Sequence, residues 1–220
     1  MRFDRLTVYA AMLEIGAVPI FTPLDFDAAC RVVSACAVEG ARVVEITNRR
    51  EGMLGLFLQL VSWAATEHPD VILGVGTIYD APTAAMFVDA GANFIVSPIV
   101  SPEVARFCNR RRIAYLPGCG SASEISLAEE LGAEIVKIFP AAAFDGPAFV
   151  RGILGPSPWS KLMPTNITAS EEAVQAWFKS GVATVGVGGS LITDAAQRAP
   201  SDHLAEKVRE FMGFVRSARA

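Results

Sequence analysis

At 220 residues, with 52% hydrophobic and 19% charged residues, the chain is too apolar to be disordered and long enough to bury one large core. Its 19 Lys and Arg against 23 Asp and Glu leave a net charge of -4, and basic residues gather only in short runs such as Arg110, Arg111 and Arg112, so nucleic-acid binding has no electrostatic support. Four cysteines, Cys30, Cys36, Cys108 and Cys119, form no CxxC pair and have no histidine cluster beside them, and no apolar run approaches the ~20 residues of a membrane span; a reduced, cytoplasmic protein with no structural zinc, disulfide framework, leader or membrane anchor is expected.

The segment Phe3 to Gly16 is apolar at Leu6, Ala10 and Leu13 and predicts a helix ahead of the first strand. From there a rhythm recurs: a short β-branched strand, a turn with Gly, Pro, Thr or Ser, then an amphipathic helix. Eight strands are predicted, at Val18 to Phe21, Val43 to Ile46, Ile72 to Val75, Phe94 to Val96, Ala114 to Leu116, Ile135 to Phe139, Leu162 to Pro164 and Thr184 to Val187. Helix starts are marked by Asp25, by Ser101 before Pro102, by Ser121 with Glu124 and by Thr168 with Glu171, the last two at capping-box spacing. The final unit is followed only by a terminal helix near Asp202 to Ala218. Strands alternating with helices pair in parallel, because a parallel crossover needs a helix to carry the chain back. Eight units predict closure into a (β/α)8, or TIM, barrel with an additional N-terminal helix covering its floor. No composition break divides residues 1 to 220, so one domain is expected.

In such a barrel the loops leaving the C-terminal strand ends share one mouth, and polar residues there carry chemistry. The second unit reads VVEITNRR: Glu45 and Thr47 share a strand face, and Arg49 follows at the exit. The third ends GVGT, where the glycines permit a close backbone approach and Thr77 supplies a hydroxyl. The sixth reads EIVKIFP, with Lys137 on the face of Ile135 and Phe139. Burial in an apolar strand favours a neutral amine over an ammonium, and a neutral amine is a nucleophile that condenses with a ketone to an iminium. The proton transfers need a partner. His68 precedes the third strand and His203 lies in the last helix, both away from the mouth, which leaves Glu45 as general acid and base, its pKa either raised by burial or held down by Arg49. With no convergent carboxylates or imidazoles, no metal and no cofactor are expected. Asp145 in the AAAFDG loop reads as a solvated turn residue.

The ordered motifs GAVPIF, VVEITNR, GVGT, GANFIVSP, PGCGSASE, GAEIVKIFPA, MPT and GVGGS together resemble the 2-keto-3-deoxy-6-phosphogluconate and 2-keto-4-hydroxyglutarate aldolases, class I pyruvate-forming barrel enzymes, over nearly the whole chain. The resemblance implies Lys137 as the Schiff-base residue, Glu45 as acid and base, and Arg49 with Thr77 on the pyruvate carboxylate. It further implies Phe139 beside the imine, Pro98 and Thr165 along the pocket, and Gly188, Gly189 and Ser190 in part of a phosphate site. A homotrimer acting on a small keto acid in Entner-Doudoroff carbohydrate metabolism is likewise implied. The sequence departs from the family after the seventh strand, where phosphate-using members carry PTGG and this chain has Pro164, Thr165, Asn166 and Ile167. Gly can bring backbone donors against an anion at positive φ, whereas β-branched Ile strongly resists that conformation. Two other readings stand beside the aldolase: a phosphosugar isomerase barrel working without a Schiff base, and a non-catalytic homologue that binds a small acid.

Overall fold

The structure, a computed structural model, describes residues 3 to 143 and 145 to 220. Helix α1 (Arg5–Ile15) opens on the Asp4 cap and ends at Gly16, whose φ of 76° is the left-handed conformation that stops a helix cheaply only in glycine. Then follow β1 (Ala17–Phe21), α2 (Phe26–Val38), β2 (Val43–Thr47), α3 (Met53–Glu67), β3 (Ile72–Gly76), α4 (Ala81–Asp89), β4 (Phe94–Val96) and α5 (Pro102–Arg111). The second half comprises β5 (Ala114–Leu116), β6 (Gly118–Cys119), α6 (Ala122–Glu130), β7 (Val136–Ile138), α7 (Pro147–Leu154), β8 (Leu162–Pro164), α8 (Glu171–Lys179), β9 (Val185–Val187), α9 (Asp194–Arg198) and α10 (Ser201–Arg219).

All strand pairings are parallel. One sheet runs β5-β4-β3-β2-β1-β9 and the other β6-β7-β8. The sheets meet where Pro117, with no N–H to give a ladder, separates β5 from β6. On the far side a parallel bridge joins Thr165, just past β8, to Gly186 of β9.

Side chains alternate along each strand. Val18, Val43, Ile72, Phe94, Ala114, Ile135 and Met163 form an inner cluster with Val8 and Met12 of α1, all fully buried, so the N-terminal helix plugs the end where the strands begin. The Tyr9 hydroxyl locks this plug, donating to the Tyr115 carbonyl at 3.1 Å and accepting from the Tyr115 N–H at 3.0 Å. The opposite faces, including Val44, Ile46, Leu73, Val75, Ile95 and Val136, pack under the helices. Two inward positions of β3 are glycine for reasons of room. A Cβ on Gly74 would sit 2.4 Å from the Phe94 ring, and one on Gly76 would sit 1.8 Å from the Glu45 carboxylate.

Several local expectations are corrected. The sixth predicted strand is shorter, Val136–Ile138, because Phe139 leads straight into Pro140 and a single turn at Ala141–Ala143. Helix α8 is capped by Ser170 and not Thr168: the Ser170 hydroxyl accepts from the Ala173 N–H at 3.3 Å. The terminal helix is not alone after the last strand, since the five-residue α9, capped by Thr193, precedes it. Among the described residues, no helix is long and apolar enough to cross a membrane.

Candidate active site

The strand register brings Glu45 and Lys137 to one end of the interior. On β2, Val43 belongs to the inner cluster, so Glu45 and Thr47, two and four residues on, share its face. On β7, Ile135 points inward and Lys137 follows on the same face, in register with Gly118 of β6 and Met163 of β8. The Lys137 side chain is 5% exposed, and its amine lies 5.1 Å from the centroid of the Phe139 ring. Phe139 thus forms one wall beside the amine, at a distance where the ring face favours positive charge.

Glu45 is 1% exposed, and its Oε2 is fully enclosed without a hydrogen-bond partner. Burial pushes its carboxyl above the ordinary carboxylate range, against the opposing pull of Lys137 and Arg49. Of the two effects weighed from sequence, desolvation wins. A buried oxygen with no partner is costly, and such atoms concentrate where a reaction or an ordered water uses them.

Arg49 leaves β2 toward the open mouth and donates through Nε to Thr77 Oγ1 at 3.1 Å. Thr77 holds φ at 64°, an unusual conformation for a β-branched residue, in the turn that follows β3. The strain is consistent with a hydroxyl held in place for a task. Thr47 is 1% exposed and its hydroxyl lies 2.5 Å from that of Thr22 at the end of β1.

These groups border a cavity of about 470 Å³ lined by Thr22, Thr47, Arg49, Lys137, Phe139, Thr165, Gly188 and Gly189, and by residues of the loop into α9. Thr165 is buried and its hydroxyl donates to the Ile138 carbonyl at 3.3 Å, so it is a wall residue with its proton engaged. Glu45 and Thr77 stand behind the lining and reach it through Lys137 and Arg49. Pro98 also lies outside the lining; its carbonyl packs where a Cβ on Gly118 would be, 2.5 Å away. Ser190 departs furthest from its expected place. Its hydroxyl donates to the Ile167 carbonyl at 2.7 Å and accepts from the Ala169 N–H at 3.1 Å, so it ties two loops together and does not face the cavity.

The sequence reading missed Thr193, Asp194 and Gln197, which line the same cavity; Asn166, noted there only as a departure from the glycine pair, lines it too. Gln197 is buried, accepts from the Leu24 N–H at 3.1 Å and donates to the Thr22 carbonyl at 3.1 Å, fastening α9 to the loop after β1. The signal for this helix was present: Thr193 followed by Asp-Ala-Ala-Gln is a cap before helix formers. The histidines and Asp145 lie where expected. His68 bonds Ser34 at 2.8 Å and stacks edge-on to Trp63, His203 lies in α10, and Asp145 is an exposed turn residue. Among the described residues no group of three or more His, Cys, Asp or Glu is placed to hold a metal ion.

The family model for KDPG and KHG aldolase matches residues 8–206. The chain is 30% identical over 193 residues to the 2-dehydro-3-deoxy-phosphogluconate aldolase of Pseudoalteromonas atlantica, covering 88% of each chain. It is 30% identical over 160 residues to the enzyme of the same name from Treponema pallidum, covering 73% of this chain and 74% of that one. A solved KDPG aldolase of Legionella pneumophila, with pyruvate captured as a covalent carbinolamine intermediate, superposes with a TM-score of 0.81 at 25% identity, over 96% of this chain and 98% of that one.

Proposed function

Because the chain belongs to the KDPG and KHG aldolase family, we propose that it is a metal-independent class I aldolase that cleaves a 2-keto-3-deoxy sugar acid, or a related 2-keto-4-hydroxy acid, to pyruvate and an aldehyde. One observation carries the reading: the Lys137 amine lines the cavity beside Phe139, with a buried carboxyl of raised pKa, Glu45, in electrostatic reach. The carbinolamine captured in the Legionella pneumophila relative supports a covalent amine adduct as the chemistry of the family.

In the proposed reaction the Lys137 amine adds to the C2 carbonyl, and loss of water gives the iminium. Arg49, held by Thr77, pairs with the substrate carboxylate, fixing which face of the ketone meets the amine. Glu45, as carboxylate, takes the proton of the C4 hydroxyl, directly or through a water. The C3–C4 bond breaks, its electron pair flows into the iminium to give the enamine, and the aldehyde leaves. Protonated Glu45 returns the proton to C3, and water hydrolyses the iminium to pyruvate and free amine. A carboxyl raised toward neutrality suits both transfers, because it neither holds nor releases its proton too strongly. The iminium supplies the electron sink that a metal would otherwise provide.

The proposal extends to the architecture and assembly. The two sheets, joined at Pro117 and bridged at Thr165 and Gly186, are read as one closed (β/α)8 barrel, a single domain behind its N-terminal helix. A cytoplasmic homotrimer is proposed; Leu58 of α3, Tyr79, Met86 of α4 and Ile99 expose apolar surface on successive elements, as a subunit contact would require. A lysine amine and a carboxyl enclosed together favour the aldolase over the isomerase, and loss of pyruvate release in Lys137→Ala separates the aldolase from a silent binder.

The test is pyruvate release from 2-keto-3-deoxy acids by the native enzyme and Lys137→Ala, each with and without a chelator. Cleavage should survive the chelator and vanish in Lys137→Ala. Activity lost to the chelator and restored by a divalent ion, or retained by Lys137→Ala, contradicts the reading.

A further inference from the structure

Building on the aldolase reading above, we infer that the paired hydroxyls of Thr22 and Thr47 donate a hydrogen bond to the substrate's C4 oxygen, stabilising the charge that builds there as the C3–C4 bond breaks. Thr47 ends β2 and Thr22 follows β1, one step past the pairing of Phe21 with Ile46, and their hydroxyls lie 2.5 Å apart. Two hydroxyls bring two protons. One lies between the oxygens, and among the described residues neither hydroxyl bonds any other group, so the second proton is left for a further acceptor. Both residues line the cavity, so that acceptor comes from whatever the cavity holds.

Their place in the mouth picks out the substrate atom. The strands there run β3-β2-β1-β9, and Thr165 after β8 bridges to β9. Arg49 and Thr77, after β2 and β3, mark the carboxylate end, while Asn166, Gly188 and Gly189, after β8 and β9, line the opposite end. Thr22 and Thr47 stand between the two, where a chain held at C1 by Arg49 and at C2 by Lys137 carries C3 and C4. Glu45 approaches from the other side of Thr47. Its Oε1 lies 1.8 Å from where a Cβ on Gly76 would be, and Gly76 faces Thr47 across the ladder, about 4.8 Å away. The carboxyl and the two hydroxyls thus stand in a row over β3, β2 and β1. The C4 hydroxyl gives its proton to Glu45, directly or through a water, and its oxygen accepts from the threonine pair, which keeps both of its own protons. A fixed neutral donor suits an oxygen that is negative only during cleavage and a carbonyl afterwards. Gln197 holds the pair in place: its amide donates to the Thr22 carbonyl at 3.1 Å, and its backbone carbonyl accepts from Arg31.

The experiment sets cleavage against a step that involves no C4 oxygen. Exchange of the methyl hydrogens of pyruvate in D2O, followed by NMR, calls on Lys137 and Glu45 but not on the threonine pair. It is measured beside the single-turnover rate of cleavage, on whichever of 2-keto-3-deoxygluconate and its 6-phosphate the native enzyme cleaves faster, in the native protein, Thr22→Val, Thr47→Val and Thr22→Ser. Val keeps the branched shape and removes the hydroxyl, and Thr22, half-buried past the end of its strand, keeps the test open should the enclosed Thr47→Val fail to fold. Each Val variant should lose on the order of ten- to a hundredfold in cleavage, the factor that a hydrogen bond to a charged oxygen provides. Exchange should keep its native rate, and Thr22→Ser, which retains the hydroxyl, should cleave as the native protein does. Native cleavage in a folded Val variant, or cleavage and exchange falling by the same factor as a mere strand-end tie would make them, overturns the assignment and leaves the aldolase reading standing. A native protein that neither cleaves either acid nor exchanges the hydrogens of pyruvate takes both readings down.

Discussion

Glu45 is a carboxyl group sealed from water with one oxygen unbonded, and the cost of ionising it there is what suits it to the proposed proton transfers. Its folded pKa lies above the ordinary value, so the folded chain holds the proton to higher pH than the unfolded chain does. The stability this contributes is fully present below the unfolded pKa and is lost as pH rises through the raised folded one. Gln has nearly the same shape and does not ionise. Glu45→Gln should therefore melt above the native protein, with a gap that widens as pH rises from the ordinary carboxylate range toward the raised folded pKa, while kcat falls on the order of a hundredfold or more. A melting gap that shrinks with pH, or an unchanged kcat, would remove Glu45 from this role. The residue itself was legible in VVEIT; the direction of its shift was not, because that depends on how completely the strands on either side close over it.

At the scale of the element, β3 shows what a sequence conceals. Its GVGT was read as a place for close backbone approach, yet the two glycines make room for side chains of the neighbouring strands. Gly74 receives the Phe94 ring and Gly76 receives the Glu45 carboxyl, so one strand serves the core and the site two residues apart. Substitutions should separate the two. Gly74→Ala overpacks a fully buried ring and should cost roughly 1–3 kcal/mol of stability, measured by denaturant unfolding, with activity per folded molecule retained. Gly76→Ala displaces Glu45 and should lose kcat about as severely as Glu45→Gln. Equal effects of both on kcat would mean that β3 has no such division. The strand rhythm itself was readable because period-two burial and capping residues are local signals. The short helix α9 was missed because five residues give no periodicity, and its importance comes from Gln197 reaching back to the loop after β1, a long-range contact no local pattern announces.

On the scale of the whole molecule, the site exists only when distant segments meet. Glu45 comes from β2, Lys137 from β7, Asn166 from the loop after β8 and Asp194 from the start of α9, brought together by parallel pairings that the alternating pattern predicts. The pyruvate end was legible because Lys, Glu and Arg are conspicuous in apolar strands. The wall formed by the loops after β8 and β9 was legible only as a missing glycine pair; that Asp194 lines it, and that the Ser190 hydroxyl ties two loops, follows from packing alone. The central claim is that the folded chain singles out one amine of its four lysines, Lys137, Lys161, Lys179 and Lys207, for covalent chemistry. Pyruvate with borohydride, followed by peptide mass mapping, tests it most directly, since reduction turns an iminium into a stable secondary amine. The account predicts one reduced pyruvate per chain, on Lys137, formed by the native protein and not by the chain unfolded in denaturant; no adduct, or one on Lys161, Lys179 or Lys207, would contradict it.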